Sequence, residues 1–293
     1  MISEIQAKTI LNSVSQPDDW FGLKYGMNLY RGCQHQCIYC DSRSTCYGIE
    51  NFANIQVKVN AIDLLEDALP RKRIIGTIGT GSMNDPYMPI EQQYHLTGRA
   101  LEVIARHGFP VHVITKSNLV LKDLDTLRQI SRVYAAVSFT ITTADDALGK
   151  RLEPGAPLVS ERLCAMQTLA ENGILTGVTM MPILPWIEDT PENILALVHQ
   201  AHAHGARYIL PWMGISLRSG SREYYYAQLD RLFPGLKQRY IRHYGSRYEC
   251  DSPAAQMLYP LFQAECKRLG IATHVPVFTP RPVQHNIQLT LKI

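Results

Sequence analysis

The sequence lacks any hydrophobic run long enough to span a bilayer, and no internal repeat or low-complexity segment is visible. Charged residues make up only 19% of the 293 residues, against 46% hydrophobic residues, which is typical of a globular protein with a large core. The N-terminal segment contains Glu4 and no continuous apolar stretch, so it does not match a signal peptide. We therefore expect a cytoplasmic protein without membrane attachment, as a monomer or a weak dimer.

Cysteine is sparse outside one short segment, since four of the seven cysteines lie between Cys33 and Cys46. Disulfides are rare in a reducing compartment, so an odd number of cysteines crowded in this way favours metal binding. The sequence therefore indicates a metal centre in this segment.

Short β-rich runs alternate with longer helical patterns between residues 27 and 211. The predicted strands are 27–30, 74–78, 111–115, 135–141, 175–181 and 208–211. The predicted helices between them are 61–69, 92–107, 124–132, 160–172 and 191–204. This alternation indicates an α/β fold with a parallel sheet and right-handed crossovers, either a partial barrel of six units or a doubly wound sheet.

The alternation stops after residue 221, and helical patterns follow at 222–233, 235–244 and 253–269. We therefore divide the chain into a barrel with an N-terminal segment, residues 1–221, and a helical C-terminal extension, residues 222–293, packed on the barrel. Ligands of parallel α/β folds gather at the carboxyl ends of the strands, so we expect the site in the loops that follow them.

Cys33, Cys37 and Cys40 follow the first predicted strand with the spacing C-x3-C-x2-C. Three thiolates in one loop can ligate three irons of a cubane cluster and leave the fourth iron open to the amino and carboxylate groups of S-adenosylmethionine (SAM). An electron from the cluster can then break a carbon–sulfur bond and release a 5′-deoxyadenosyl radical. The alternative is a structural zinc site with His35 or Cys46 as fourth ligand, in a binding module without catalysis.

This motif, with Tyr39 as the aromatic residue before the last cysteine, is similar to the signature of the radical SAM superfamily. The resemblance implies a partial (β/α)6 TIM-like barrel, a 4Fe–4S cluster, SAM, and an electron donor of the flavodoxin or ferredoxin type. The strand-end segments of residues 79–87, 116–119, 138–142 and 177–185 resemble the spore photoproduct lyase-like branch. In that branch a Thr-Lys-Ser segment and a serine on the next strand contact SAM.

The resemblance, which covers about residues 23–211, implies a set of cofactor-binding residues at successive strand ends. Lys116 is expected to pair with the SAM carboxylate as a point charge, and glycine at 81 to let the backbone approach the ligand. Asn84 and Asp85 are candidates for the SAM ammonium or the substrate. The full predicted set is Tyr39, Gly81, Ser82, Asn84, Asp85, Lys116, Ser138 and Thr140.

The sequence departs from the lyase at three positions, one of which is Asn84, where the lyase has a serine. Ser82 stands where the lyase has its hydrogen-donating cysteine, and a serine O–H bond is too strong to replace a thiol in that step. Asp41 stands where the lyase has a tyrosine. Thymine-dimer repair by that mechanism is therefore not expected, and the sequence looks like relatives of the lyase that lack the hydrogen-donor cysteine.

Other residues could carry the radical, although a structural role is the simpler interpretation for each. Cys250 lies in a polar segment and is the better candidate thiol, whereas Cys164 and Cys266 lie in helical patterns and are expected in the core. Tyr87 is a candidate radical relay.

Acidic residues are scarce in the C-terminal third. Residues 207–293 hold 12 of the 29 Lys and Arg but only 5 of the 26 Asp and Glu, a net charge of +7 against −4 for the remainder. Arginines interleaved with tyrosines would suit a nucleic-acid or nucleotide substrate, and a helical cap explains the same pattern. Arg218 and Arg222 flank a strand-end loop and are the best candidates for contact with an anion. A peptide or small metabolite is the alternative substrate class.

Overall fold

The computed structural model describes residues 1–17 and 19–283. The strands are β1 (Ile2–Ile5), β2 (Leu11–Ser13), β3 (Leu23–Met27), β4 (Tyr30–Arg31), β5 (Ile55–Lys58), β6 (Ile74–Ile75), β7 (Thr77–Thr80), β8 (Val111–Thr115), β9 (Ala135–Thr140), β10 (Leu175–Met180), β11 (Tyr208–Pro211), β12 (Gly214–Ser216), β13 (Glu249–Asp251) and β14 (Arg281–Pro282). The helices are α1 (Ala61–Ala68), α2 (Glu91–Tyr94), α3 (Leu96–Arg106), α4 (Leu124–Ser131), α5 (Asp146–Leu152), α6 (Val159–Glu171), α7 (Pro191–Ala203), α8 (Ser221–Leu232), α9 (Leu236–Tyr244) and α10 (Ala255–Leu269).

Six parallel strands form the centre of the molecule in the order β3, β7, β8, β9, β10 and β11, and β2 pairs antiparallel with β3 at one edge. Spatial order therefore equals chain order, and each parallel pair is joined by a crossover that contains a helix. This arrangement is that of the expected partial (β/α)6 TIM-like barrel, and a doubly wound sheet, in which the strand order reverses, is excluded.

The burial of the central strands agrees with their position in a parallel sheet. Every residue of β9 is buried, as expected for a central parallel strand covered on both faces. Helix α7 begins as its sequence predicts, because the Thr190 hydroxyl accepts a hydrogen bond from the Asn193 amide and Pro191 occupies the first turn.

A second sheet lies beside the barrel and was not predicted. It has three strands in the order β1, β5 and β4, with β1 parallel and β4 antiparallel to β5. The first barrel strand is also displaced from its expected position at 27–30 to Leu23–Met27, and the chain then enters β4.

The helices after residue 221 do not form a separate core. Buried Tyr225, Tyr240 and Tyr244 pack in one cluster with Ile38 and Tyr39 of the cysteine loop, the loop after β4 that carries the three motif cysteines. Helices α8 and α9 therefore pack against the cysteine loop, while the last ten residues of the predicted extension, 284–293, lie outside the described residues. The division at residue 221 falls at the first residue of α8 and stays a prediction. No helix in the described part of the chain is long and apolar enough to cross a bilayer.

Candidate active site

A cavity of about 410 Å³ opens at the carboxyl ends of the barrel strands, within the usual size of small-molecule sites, roughly 300–1,000 Å³. All three motif cysteines lie on its wall together with residues from the loops after β7 and β8 and from the ends of β9 and β10. The predicted residues on this wall are Cys33, Cys37, Tyr39, Cys40, Gly81, Ser82, Asn84, Asp85, Lys116 and Thr140.

The cysteine loop is shaped by two glycines that no larger residue could replace without strain. Gly32 has φ +78°, and a Cβ there would lie 2.7 Å from the Asn54 carbonyl oxygen. A Cβ at Gly155 would lie 2.1 Å from the Gln34 carbonyl oxygen, and the Gly155 amide donates to the His35 carbonyl over 2.9 Å. The loop is therefore fixed against the chain that follows β9.

The three motif thiols are ligands of the type that an iron–sulfur cluster requires. In the part of the chain that the structure describes, no three His, Cys, Asp or Glu side chains converge on one ion site. A cubane instead takes its thiolates at three separate irons, and soft thiolates suit iron and sulfide. Burial raises the pKa of Cys33 to about 12, so ligation to iron would stabilise a thiolate that the bare site disfavours.

Partly exposed Lys116 belongs to a network of charges with buried Glu153 and Arg162, beside the cysteine loop. Its Nζ is 3.8 Å from Glu153 Oε1 and 5.7 Å from the centre of the Tyr39 ring. The Tyr39 hydroxyl donates to the same carboxylate, and Arg162 Nη1 is 2.5 Å from the other oxygen. Burial alone would raise the pKa of Glu153, but Arg162 and Lys116 outweigh it and lower this pKa.

The charge of Lys116 is therefore stabilised by its neighbours, with the side chain 16% exposed at the cavity wall. Burial opposes that charge, but the neighbouring Cys37 and Glu153 raise the pKa of Lys116 above its usual value. Glu153 and Arg162 were not predicted. The signal for Glu153 was available, because it lies in the segment that follows the fourth predicted barrel strand, where ligand-binding residues are expected.

Asp85 joins the loops after β7 and β8. One of its oxygens accepts from the Thr115 hydroxyl (2.7 Å) and the Tyr87 amide (2.9 Å), and the other accepts from the Lys116 amide (2.6 Å) and lies 3.1 Å from His35 Nε2. Burial opposes the charge, but His35 and these donors lower the pKa of Asp85 to about 2. Both oxygens have protein partners, so the geometry indicates a carboxylate that positions the cavity wall. The expected SAM or substrate contact stays a prediction.

The loop after β7 brings backbone to the cavity. Gly81 has φ +99°, and a Cβ there would lie 2.1 Å from the Ile114 carbonyl oxygen, so only glycine fits. Ser82 is exposed on the cavity wall, whereas the Asn84 amide donates to the Tyr30 carbonyl over 2.6 Å. Thr140 also reaches the wall, where its hydroxyl is 2.9 Å from that of Thr179.

The structure does not bring Ser138, Tyr87 or Cys250 to the cavity wall. Ser138 is on the same face of β9 as Thr140 but one layer deeper, where its hydroxyl is 2.7 Å from both His112 Nε2 and the Tyr208 hydroxyl. The Tyr87 hydroxyl donates to Asp123 over 2.7 Å and is buried.

The expectation that Cys250 is an accessible thiol is wrong. Cys250 is fully buried on β13, where it pairs with Ile215 of β12, and burial raises its pKa to about 11. Cys164 was expected in the core and is exposed on α6, whereas Cys266 is buried as expected. Cys46 is exposed and lies off the wall of the main cavity.

The two arginines singled out from the sequence have protein partners. Arg222 donates to the carbonyl oxygens of Leu217, Gly245, Ser246 and Arg247, which fixes the end of α9. Arg218 donates to the Tyr248 hydroxyl over 2.6 Å. Arg222 is thus held as a structural residue, which favours the helical-cap interpretation of this basic segment.

A family model for the radical SAM superfamily matches residues 27–198. An uncharacterised protein of Methanocaldococcus jannaschii is 36% identical over 191 residues, which are 64% of this chain and 70% of the relative. An uncharacterised protein of Mycobacterium tuberculosis is 29% identical over 82% of this chain and 73% of its own length. Spore photoproduct lyase complexed with dinucleoside spore photoproduct shares the fold, with a TM-score of 0.72 at 18% identity over 92% of this chain and 81% of the lyase chain. Because the family model spans more than half of the chain, the protein belongs to the radical SAM superfamily.

Proposed function

We propose that Cys33, Cys37 and Cys40 hold a 4Fe–4S cluster and that SAM binds in the adjoining cavity of about 410 Å³. When bound and reduced, the cluster supplies the electron that cleaves SAM to methionine and a 5′-deoxyadenosyl radical. The observation that carries this proposal is that three thiols and the Lys116 cation share one cavity wall at the carboxyl end of the barrel.

The chain's own residues bind and orient the cofactor in this proposal. Lys116, whose charge is secured by Glu153, attracts the SAM carboxylate, and the Gly81 backbone lies against the ligand. Thr140 offers a hydroxyl from β9. Asp85 fixes the relative position of the two loops that carry Gly81 and Lys116.

We infer that a nucleotide or a nucleic acid is the substrate. Support comes from the fold shared with the lyase, which was solved with a dinucleoside photoproduct. We propose that a flavodoxin or ferredoxin delivers the electron and that the enzyme works in the reducing cytoplasm.

The reaction differs from that of an enzyme with a hydrogen-donating cysteine in the cavity. Among the described residues on the cavity wall, the motif cysteines are the only thiols, and Cys250 is buried elsewhere. We therefore propose that no protein thiol quenches a substrate radical in this cavity.

Anaerobic reconstitution with iron and sulfide tests the cofactor assignment. The wild-type protein should hold about four irons and four sulfides per chain and release 5′-deoxyadenosine from SAM with dithionite, and Cys37→Ala should abolish both. Binding of zinc without sulfide, or unchanged SAM cleavage in Cys37→Ala, would contradict the assignment.

The role of Lys116 has its own test. Lys116→Met should weaken SAM binding to the reconstituted protein by about tenfold or more, since a hydrogen-bonded charge pair is lost. Lys122→Met, which removes an exposed lysine six residues further on, is the matched control and should bind SAM normally. Equal affinities of the two variants would exclude Lys116 as the carboxylate ligand.

A further inference from the structure

A second cavity, also of about 410 Å³, lies beside the first. Its walls come from the loop after β1, from β4 and β5, and from the segment after the cysteine loop. Met83 lines both cavities, so one side chain stands between them. This cavity is called the basic pocket below, because Lys8, Arg31 and Lys58 line it.

The three cations have no opposite charge on the same wall. None of the described residues that line the basic pocket is an aspartate or a glutamate. Arg31 of β4 lies opposite Gln56 of β5, and Lys58 is two residues further along β5, so both cations are on one face of the sheet. Lys8 is exposed at the rim.

Neutral acceptors hold Arg31 and Lys58 in place without cancelling their charge. Lys58 Nζ donates to the Asn28 carbonyl over 2.6 Å, and Arg31 Nη2 donates to the carbonyls of Tyr47 (3.1 Å) and Gly48 (3.2 Å). Burial lowers the pKa of Lys58, and repulsion from Arg31 lowers it further. An anion between the two side chains would relieve that repulsion.

The ligand chemistry follows from these groups. Arginine presents a planar fork of donors and lysine a point charge, a combination that suits the oxygens of a phosphate ester. We propose that the basic pocket binds a phosphate group of the substrate, while the part of the substrate that reacts enters the main cavity past Met83. This inference rests on the proposed function, in which the substrate is a nucleotide or a nucleic acid.

Isothermal titration calorimetry on the reconstituted holoprotein, with the four deoxynucleosides and their 5′-monophosphates as probes, tests this assignment. We expect at least one monophosphate to bind the wild-type protein about tenfold more tightly than its nucleoside. Lys58→Met should remove that preference, whereas Lys267→Met, with the same charge change at an exposed site on α10, should retain it.

A short fluorescent single-stranded DNA separates a polynucleotide from a free nucleotide. If the phosphate belongs to a polynucleotide, the DNA should bind more tightly than any monophosphate. Lys58→Met should then reduce the slope of the logarithm of the DNA-binding constant against the logarithm of the salt concentration by about one. If it belongs to a free nucleotide, the DNA should not compete with the monophosphate. Either result supports a phosphate site in the basic pocket.

Two results would overturn the assignment. One is a wild-type protein that binds neither the DNA nor any monophosphate better than the nucleosides, and the other is Lys58→Met binding as tightly as the wild type. Should Lys58→Met fail to fold, Lys8→Met, on the exposed rim, carries the same expectation of weaker phosphate binding. Release of 5′-deoxyadenosine by the wild type, measured separately, shows whether the proposed function stands when the phosphate site fails.

Discussion

Replacement of Glu153 by glutamine should destabilise the fold without creating a cavity, because the two side chains have nearly the same shape. The side chains of Glu153 and Arg162 are 2% and 1% exposed, and their charged atoms are 2.5 Å apart. Glutamine would leave buried Arg162 without this counter-charge and would remove one of the anionic groups beside Lys116. Breaking a buried ion pair from one side costs about 3–5 kcal/mol.

Thermal unfolding of the protein without cofactors measures this loss. At roughly 2–4 °C per kcal/mol for a chain of this size class, the melting temperature should fall by roughly 6–20 °C. Glu66→Gln is the matched control, since Glu66 pairs with Arg106 at a solvent-exposed site, where ion pairs contribute little. Equal shifts for Glu153→Gln and Glu66→Gln would refute the reasoning.

A double variant and a pH series refine the test. Glu153→Gln combined with Arg162→Met should be more stable than Glu153→Gln alone, because the uncompensated charge is also removed. Arg162 and Lys116 outweigh burial and hold the pKa of Glu153 below its ordinary value of 4.5, so its contribution is present above pH 4.5 and is lost as the pH falls through the folded-state pKa. The glutamine variant should therefore lose less stability than the wild type on acidification.

Two further predictions concern the cavity wall and the remaining thiols. Gly81→Ala should lose clearly more stability in urea unfolding than Gly108→Ala. Both glycines have positive φ, but only at Gly81 does a carbonyl oxygen lie 2.1 Å from the added carbon. Equal losses would mean that the loop after β7 shifts freely. Iodoacetamide at pH 8 should label exposed Cys46 and Cys164 in the folded protein and should not label buried Cys250 and Cys266. Burial raises the pKa of Cys250 to about 11 and that of Cys266 to about 12. Rapid labelling of Cys250 would show that β13 opens.

The sequence predicted the parts of the fold that local pattern determines. Strands β8 and β11 have the predicted bounds, because each is a short β-rich run between clear helical patterns. The first barrel strand was misplaced because Leu23–Met27 contains a lysine and a glycine, and its pairing with β2 and β7 outweighs that weak propensity.

The errors at single residues have a common cause. Period-two alternation assigns a strand residue to a face but not to a depth, so Ser138 and Thr140 were grouped although only Thr140 reaches the cavity. Cys250 lies between exposed Glu249 and Asp251, and this alternation is itself a strand signal. Its burial depends on pairing with β12, a contact that the local sequence does not reveal.

The cysteine loop gains its shape from two segments distant in sequence. From one side, Leu152 accepts from the Ile38 amide, Glu153 accepts from the Tyr39 hydroxyl, and Gly155 accommodates the Gln34 carbonyl. From the other side, Asp85 lies against His35 and accepts from the amide of Lys116. The cysteines assigned to the cluster and Lys116, assigned to the SAM carboxylate, are thus held in place by the same two parts of the chain, the segment 152–155 and Asp85. A change in the segment 152–155 should therefore lower cluster content and SAM affinity together, although it removes no ligand of either.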